Sequence, residues 1–251
     1  NSGGVDMSDH EVNIKILLDI LVREKVIASK DDRNVVLKEM TDNVSELVLD
    51  DNRNQARALS LDGVRSVVEY DAFVDAIDQM IVNRVFSRED HDVPTRDALL
   101  SSPQRLRGLP RPLLAVVLAQ AKMQAYDITL ASSVPDSDAG LPLLTRYFPD
   151  LMQARYADAF TKHPLKREIV ATVAINHVIN HAGITFLPAV AAQTGSAYGP
   201  IVQAYIEADA ASDASGRRAA ILAANGGAES ERRELLAIEA ELEAAVVSRL
   251  S

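Results

Sequence analysis

Residues 1–21 read NSGGVDMSDHEVNIKILLDIL, and the reading of this stretch decides the fold. Gly3 and Gly4 lack a Cβ, so the backbone there can take positive φ or let a ligand approach closely, and the opening reads as a glycine loop. Ser8 and Glu11 then stand in S-x-x-E spacing ahead of an apolar run. That is the capping-box pattern, in which hydroxyl and carboxylate satisfy each other's backbone N–H. From Val12 to Leu21 apolar residues fall on nearly every face, which predicts a buried helix rather than an amphipathic one. Such a helix start, with free N–H groups and a positive dipole end, is a place for a carboxylate or phosphate. A buried helix needs partners, and the rest of the chain supplies more helices.

The composition agrees. Of 251 residues, 47% are hydrophobic and only 4% aromatic, with no Trp, so aliphatic side chains must build the core, as suits helix-on-helix packing. A net charge of -10 argues against a nucleic-acid partner, because phosphate binding requires a basic surface. With no cysteine, disulfides and thiolate metal sites are excluded, which fits a reducing, cytoplasmic setting. No apolar run reaches the ~18 residues of a membrane span, since Lys15 and Asp19 interrupt the first helix, so no membrane partner is expected. The chain starts with Asn rather than Met, in the middle of a motif, as a piece of a longer polypeptide would.

Further along, Ser29–Asn34 reads as a loop with Asp31 or Asp32 capping the next helix, and Thr41 and Asp42 cap another. Val44, Leu47 and Val48 begin a stripe that Ala56 and Leu59 extend. Asn52 and Gln55 lie on or near that apolar face, where an amide is either solvated, satisfied by nearby backbone or in contact with another domain. Val64–Phe86 reads as one long amphipathic helix, bent near Tyr70. Pro110 and Pro112 suit a helix entrance, and an Ala- and Leu-rich helix follows over Leu113–Tyr126. Residues 134–142, VPDSDAGLP, read as a loop. Helices open after Tyr147-Phe-Pro and His163-Pro-Leu, the second stopping at Gly183. Ala204–Ala214 is a short acidic, Ala-rich segment. Gly216–Ala224 and Ser230–Leu250 form a hairpin around Asn225-Gly-Gly, with Leu235, Ile238, Leu242, Val246 and Leu250 as its packing stripe. The expected fold is therefore all-α, an irregular multi-helix bundle of about eight to ten helices. Its expected divisions are 1–28, 29–215 and a terminal hairpin over 216–251.

These residues also carry a resemblance. The pattern N-x-G-G-V-x-x-S-x-x-E at Asn1–Glu11 is similar to the segment that closes the active site in glutamate dehydrogenases. The longer string GVD-x-SDHEVNIKILL resembles the version in the large NAD-dependent enzymes of that group. It continues in Met40-Thr-Asp, Val48-Leu-x-Asp-Asn, Gln55–Ser60, the string RP-x-LAV-x-LA from Arg111 with Lys122, YFP at 147–149, RY at 155–156, HPL-x-REI at 163–169, and G-x-TF at Gly183–Phe186. It thus spans most of residues 1–210, with Arg53 where an aromatic residue is common and Leu113 where a Glu is usual.

The resemblance implies a function. The whole enzyme would oxidise L-glutamate to 2-oxoglutarate and ammonia with hydride transfer to NAD. This piece would contribute the wall of the glutamate pocket and a scaffold packing on the catalytic domain of the same polypeptide or on neighbouring subunits of a homo-oligomer. Ser8 would contact the distal carboxylate of glutamate, Val5 would line the same pocket, and Asn1 would lie near the nicotinamide end of the cofactor. The catalytic lysine, the aspartate and the dinucleotide fold would lie upstream, so residues 1–251 alone should be inactive and should not bind NAD tightly. Cut from that domain, the first helix should expose apolar surface.

Other constellations are incomplete. His177 and His181 share a helix face at i, i+4, as zinc ligands do, but lack the Glu of H-E-x-x-H and a third ligand. They read instead as hydrogen-bonded histidines of the bundle. His10 reads as a helix-surface imidazole or a contact for an anionic ligand. No G-x-G-x-x-G, P-loop or G-x-S-x-G is present. The alternative reading is a freestanding helical interaction or oligomerisation module without enzymatic activity.

Overall fold

The computed structural model describes residues 3–224 and 226–251, with side chains from Asp6 onward. Among the described residues there are thirteen α-helices and no strands, against the eight to ten helices expected. The fold class stands; the extra helices are short ones between breaks. The chain forms two compact units that interleave in sequence, residues 1–56 with 135–173, and residues 57–134 with 174–251. Among the described residues no single helix is long and apolar enough to cross a membrane.

The first unit holds α1 (Gly3–Arg23), α2 (Lys30–Glu39), the first half of α3 (Thr41–Val68), α7 (Gly140–Tyr147), α8 (Asp150–Tyr156), a 3-10 turn (Ala157–Lys162) and the start of α9 (Lys166–Ala182). α1 begins at Gly3, so the glycine pair belongs to the helix and not to a loop. It buries a stripe of Asn13, Ile14, Leu17, Leu18 and Leu21, while Val12 is 50% exposed. The helix is therefore amphipathic, unlike the all-round burial expected. Each of the buried aliphatic residues contributes about 1.5–3 kcal/mol. The Ser29 hydroxyl accepts from the Asp32 N–H at 3.1 Å, so Ser29, not Asp31 or Asp32, caps α2. The α2–α3 break falls at Met40, so Thr41 and Asp42 stand inside the first turn of α3 rather than capping it, and the Thr41 hydroxyl donates back to the Leu37 carbonyl at 3.4 Å. Asn52 donates to the Val48 carbonyl at 2.8 Å, so local backbone satisfies that amide. The stretch 134–142 is only partly loop, since a 3-10 turn covers Val134–Asp136 and α7 starts at Gly140.

The second unit holds the rest of α3, α4 (Tyr70–Val82), α5 (Arg96–Leu100), α6 (Arg111–Leu130), the rest of α9, α10 (Phe186–Thr194), α11 (Tyr198–Ala211), α12 (Ala214–Ala223) and α13 (Ala228–Leu250). The helix read across Val64–Phe86 is two, because the backbone leaves helical geometry at Glu69 (φ -109°, ψ 31°). The acidic segment at 204–214 is mostly the C-terminal half of α11. α13 packs on α10, α11 and α12 through Leu235, Ile238, Leu242 and Val246. Gly183 ends α9 with φ +91°, and a Cβ there would sit 2.4 Å from Asp62 Oδ1. Only glycine fits that stop. Behind it, Asp62 and Arg65 form a buried pair at 2.8 Å, and Arg65 also donates to the His181 carbonyl at 2.6 Å.

Candidate functional site

Ser8 sits one and a half turns into α1, on its exposed side. This corrects the capping box: Ser8 lies inside a helix that starts at Gly3, and Glu11 pairs with Lys15. A capping box is a local preference, and here the helix extends past it. The free N–H groups of α1 belong to its first turn, ahead of Ser8. Ser8 can therefore offer a ligand its hydroxyl, as donor to a carboxylate oxygen. Of the other two expected site residues, Asn1 and the side chain of Val5 lie outside the described residues.

The opposite side of α1 is held by the fold. Tyr147, the last residue of α7, donates its hydroxyl proton to Asp9 Oδ2 at 2.8 Å and accepts from Asn13 Nδ2 at 2.8 Å. Asn13 Nδ2 also reaches Asp9 Oδ1 at 3.2 Å. The His10 ring stacks on the Tyr147 ring, with centroids 4.3 Å apart and planes 18° from parallel. His10 is only 6% exposed, which corrects the surface imidazole expected there. Burial lowers its basicity against the pull of Asp9 and Asp6, so it is held neutral. Burial, followed by the Asp9 charge, pushes the Tyr147 phenol well above its ordinary value. Tyr147 therefore stays protonated and acts as a hydrogen-bond bridge rather than as an acid or base.

A second contact fixes the same turn. His163 Nδ1 accepts the Leu165 N–H at 3.1 Å, so the ring proton is on Nε2, which donates to the Asn13 carbonyl at 3.0 Å. Burial lowers the His163 pKa, in keeping with that neutral tautomer. Phe148 stacks on Phe160 at 4.3 Å and meets the Tyr147 ring edge-on at 5.3 Å, which packs the bridge from behind. Asp6 Oδ2, His10 Nδ1 and Asn13 Oδ1 are buried without a hydrogen-bond partner among the described residues. Their i, i+4, i+7 spacing puts them on one polar stripe of α1. The Met7, Ile14, Leu37, Met40 and Val44 side chains line an open groove of about 390 Å³ edged by Glu11 and Lys38.

The motifs YFP and HPL assign no role to Tyr147 or His163 from sequence alone. One signal was available: Asp9 and Asn13 are polar at i, i+4, and Asn13 adjoins the buried Ile14 and Leu17. A buried amide there demands a distant partner.

The densest cluster of ionised groups is in the second unit. Arg218 donates Nε to Glu239 at 2.8 Å, Nη2 to the Tyr205 hydroxyl at 2.8 Å and Nη1 to Asp209. Asp209 also accepts from His177 Nε2 and Ser215, each at 2.9 Å, and Tyr205 donates to Glu239 at 2.6 Å. Burial alone would raise Asp209, but the His177 and Arg218 hydrogen bonds hold it well below the usual carboxylate range. His181 Nδ1 donates to the His177 carbonyl at 2.7 Å, and burial pushes its pKa well down. The two histidines thus have separate hydrogen-bond partners. Among the described residues no three His, Cys, Asp or Glu side chains are grouped to hold a metal. This cluster is a closed structural network with its donors and acceptors matched to one another.

Comparison with known proteins places these features. Residues 106–242 match the family described as "Glutamate dehydrogenase, C-terminal", and residues 1–62 match "Bacterial NAD-glutamate dehydrogenase, catalytic domain". An NAD-specific glutamate dehydrogenase of Halomonas elongata is 38% identical over 206 residues, 82% of this chain and 13% of the relative. Those of Mycobacterium tuberculosis and Pseudomonas aeruginosa are 35% and 36% identical over 84% and 82% of the chain, again 13% of each relative. The chain thus spans about an eighth of the length of these relatives.

Proposed function

The chain belongs to the NAD-specific glutamate dehydrogenase family, and from that premise we propose that it is the C-terminal part of an enzyme oxidising L-glutamate to 2-oxoglutarate and ammonia with NAD. In this reading α1 closes one side of the glutamate pocket, and Ser8 donates its hydroxyl to the distal carboxylate of the substrate. The observation that carries it is the exposure of Ser8 on α1, within the segment similar to the bacterial catalytic domain, while the opposite face of the helix is tied down. Val5 would line the pocket next to it, and Asn1 would lie near the nicotinamide. The remaining helices would form a scaffold that packs on the catalytic domain of the same cytoplasmic polypeptide or on a second copy in a homo-oligomer. Val12, 50% exposed on α1, supports that reading, because it leaves apolar surface on the helix to be covered.

The described residues contain no strand, and so no strand–loop–helix unit that would cradle a pyrophosphate. In this reading NAD is held by other parts of the longer polypeptide.

A hydroxyl-to-carboxylate hydrogen bond contributes about 1.5–3 kcal/mol, which corresponds to roughly 10–150-fold in affinity. Glutamate-dependent NAD reduction by the longer enzyme, beside its Ser8→Ala variant, tests the assignment. The glutamate KM of the variant should rise within that range. An active parent with an unaffected variant would remove Ser8 from the pocket. A folded parent with no glutamate-dependent reduction would favour the helical interaction module.

A further inference from the structure

The first turns of α1 are poor helix. Gly3, Gly4, Val5, Asp6, Ser8, Asp9 and His10 all have weak helix propensity, so tertiary contacts must decide whether and where this segment is ordered. In the first unit those contacts converge on one side chain. Tyr147 bonds Asp9 and Asn13 and stacks on His10, and these three residues follow Ser8 by one, two and five positions. At about 100° per residue they occupy one face of α1, and Ser8 points roughly 150° away from its centre. A helix held from behind in this way has its rotation and its axial position set at Ser8.

We propose that Tyr147 is a positioning residue for glutamate: through its bridge to Asp9 and Asn13 it fixes the rotation of α1 that aims the Ser8 hydroxyl at the substrate carboxylate. The proposal rests on the assignment of Ser8 to the glutamate pocket. Tyr147 itself faces the back of the helix and does not touch substrate. What it supplies is alignment, and misplacement by about 1 Å is enough to lose a directional hydrogen bond. His163 supports the same turn through the Asn13 carbonyl, five residues past Ser8. Removal of the phenol hydroxyl should therefore loosen the Asp9 turn while His163 keeps the following one in place.

The test uses the full-length enzyme, with Ser8→Ala, Tyr147→Phe and their combination. Tyr147→Phe should raise the glutamate KM about three- to tenfold, the loss of one well-aligned hydrogen bond, with the KM for NAD unmoved. The combined variant should be no worse than Ser8→Ala alone, because a misaimed hydroxyl and a missing one lose the same contact. Asp9→Ala, at an exposed position, removes the same bridge without disturbing the aromatic packing and should reproduce the KM shift. It also serves should Tyr147→Phe fold poorly. A merely structural tyrosine would lower the melting temperature and the yield of active enzyme but leave the glutamate KM alone, and that result overturns the proposal. So does a combined variant whose losses multiply. If Ser8→Ala itself leaves the glutamate KM unchanged, the pocket assignment fails and the proposal falls with it. If Ser8→Ala raises it and both Tyr147→Phe and Asp9→Ala do not, only the proposal fails.

Discussion

Arg218→Met is the sharpest test of how the second unit is held together. The guanidinium lies between Asp209 and Glu239, is 4% exposed, and makes hydrogen bonds to both carboxylates and to the Tyr205 hydroxyl. Methionine fills much of the space and removes all of those donors. Asp209 keeps His177 and Ser215, and Glu239 keeps Tyr205, so neither carboxylate is left bare. Each nevertheless loses its counter-charge away from water. Removing one partner of a buried ion pair costs about 3–5 kcal/mol. At about 2–4 °C per kcal/mol for a chain of this size, the melting temperature should fall by roughly 6–20 °C at neutral pH. Thermal unfolding followed by circular dichroism reads this directly. The pH dependence separates lost charge from lost packing. Asp209, held low in the parent partly by Arg218, has a higher pKa in the folded variant, so the variant loses less stability than the parent as pH falls. The deficit against the parent should therefore shrink between about pH 7 and pH 5. Arg53→Met, which breaks the exposed pair with Asp50, should barely move the midpoint. A fall of less than about 3 °C for Arg218→Met, or a deficit that does not change with pH, would refute the argument that buried charge dominates here.

The glycine geometry makes a paired prediction. Gly183→Ala forces a side chain to φ +91° and into the Asp62–Arg65 pair, so urea unfolding should show a loss of about 3 kcal/mol or more. Gly63→Ala, inside α3 with nothing within 4 Å of the new methyl, should instead gain about 0.5–1 kcal/mol. Equal effects at the two positions would sink the reasoning. His10, His163 and His181 all have pKa values lowered by burial below the ordinary 6.5. The unfolded chain binds their protons first, so their contribution is complete above that value and is lost as pH falls through the folded values. Replacing His163 by Gln should therefore flatten the decline of melting temperature between about pH 7 and pH 5.5, and an unchanged slope would contradict it.

Helix boundaries set by local chemistry are legible in the sequence. Pro112 at the entrance of α6 and Gly183 at the end of α9 act through their own backbone, and each marks a real boundary. The stripe Leu235, Ile238, Leu242 and Val246 gave the buried face of α13, because helical period and burial follow the same geometry. Local rules failed where neighbours outvoted them. Ser8 and Glu11 have the spacing of a cap, but α1 starts five residues earlier, and the bend expected near Tyr70 is a full break at Glu69. Nothing in the neighbourhood of Arg218 or Glu239 distinguishes them from surface charges, and only the fold shows them buried against Asp209 and Tyr205.

The sequence by itself determined the all-helical class and the family, because both are written in residue order: apolar period, helix stops, and motif strings such as GVD-x-SDHEVNIKILL. The tertiary structure alone decided which face of α1 is held and which is free. Tyr147 lies 138 residues from Asp9, and a bond between two such side chains is set by how α7 packs beside α1, a relation that no local spacing encodes.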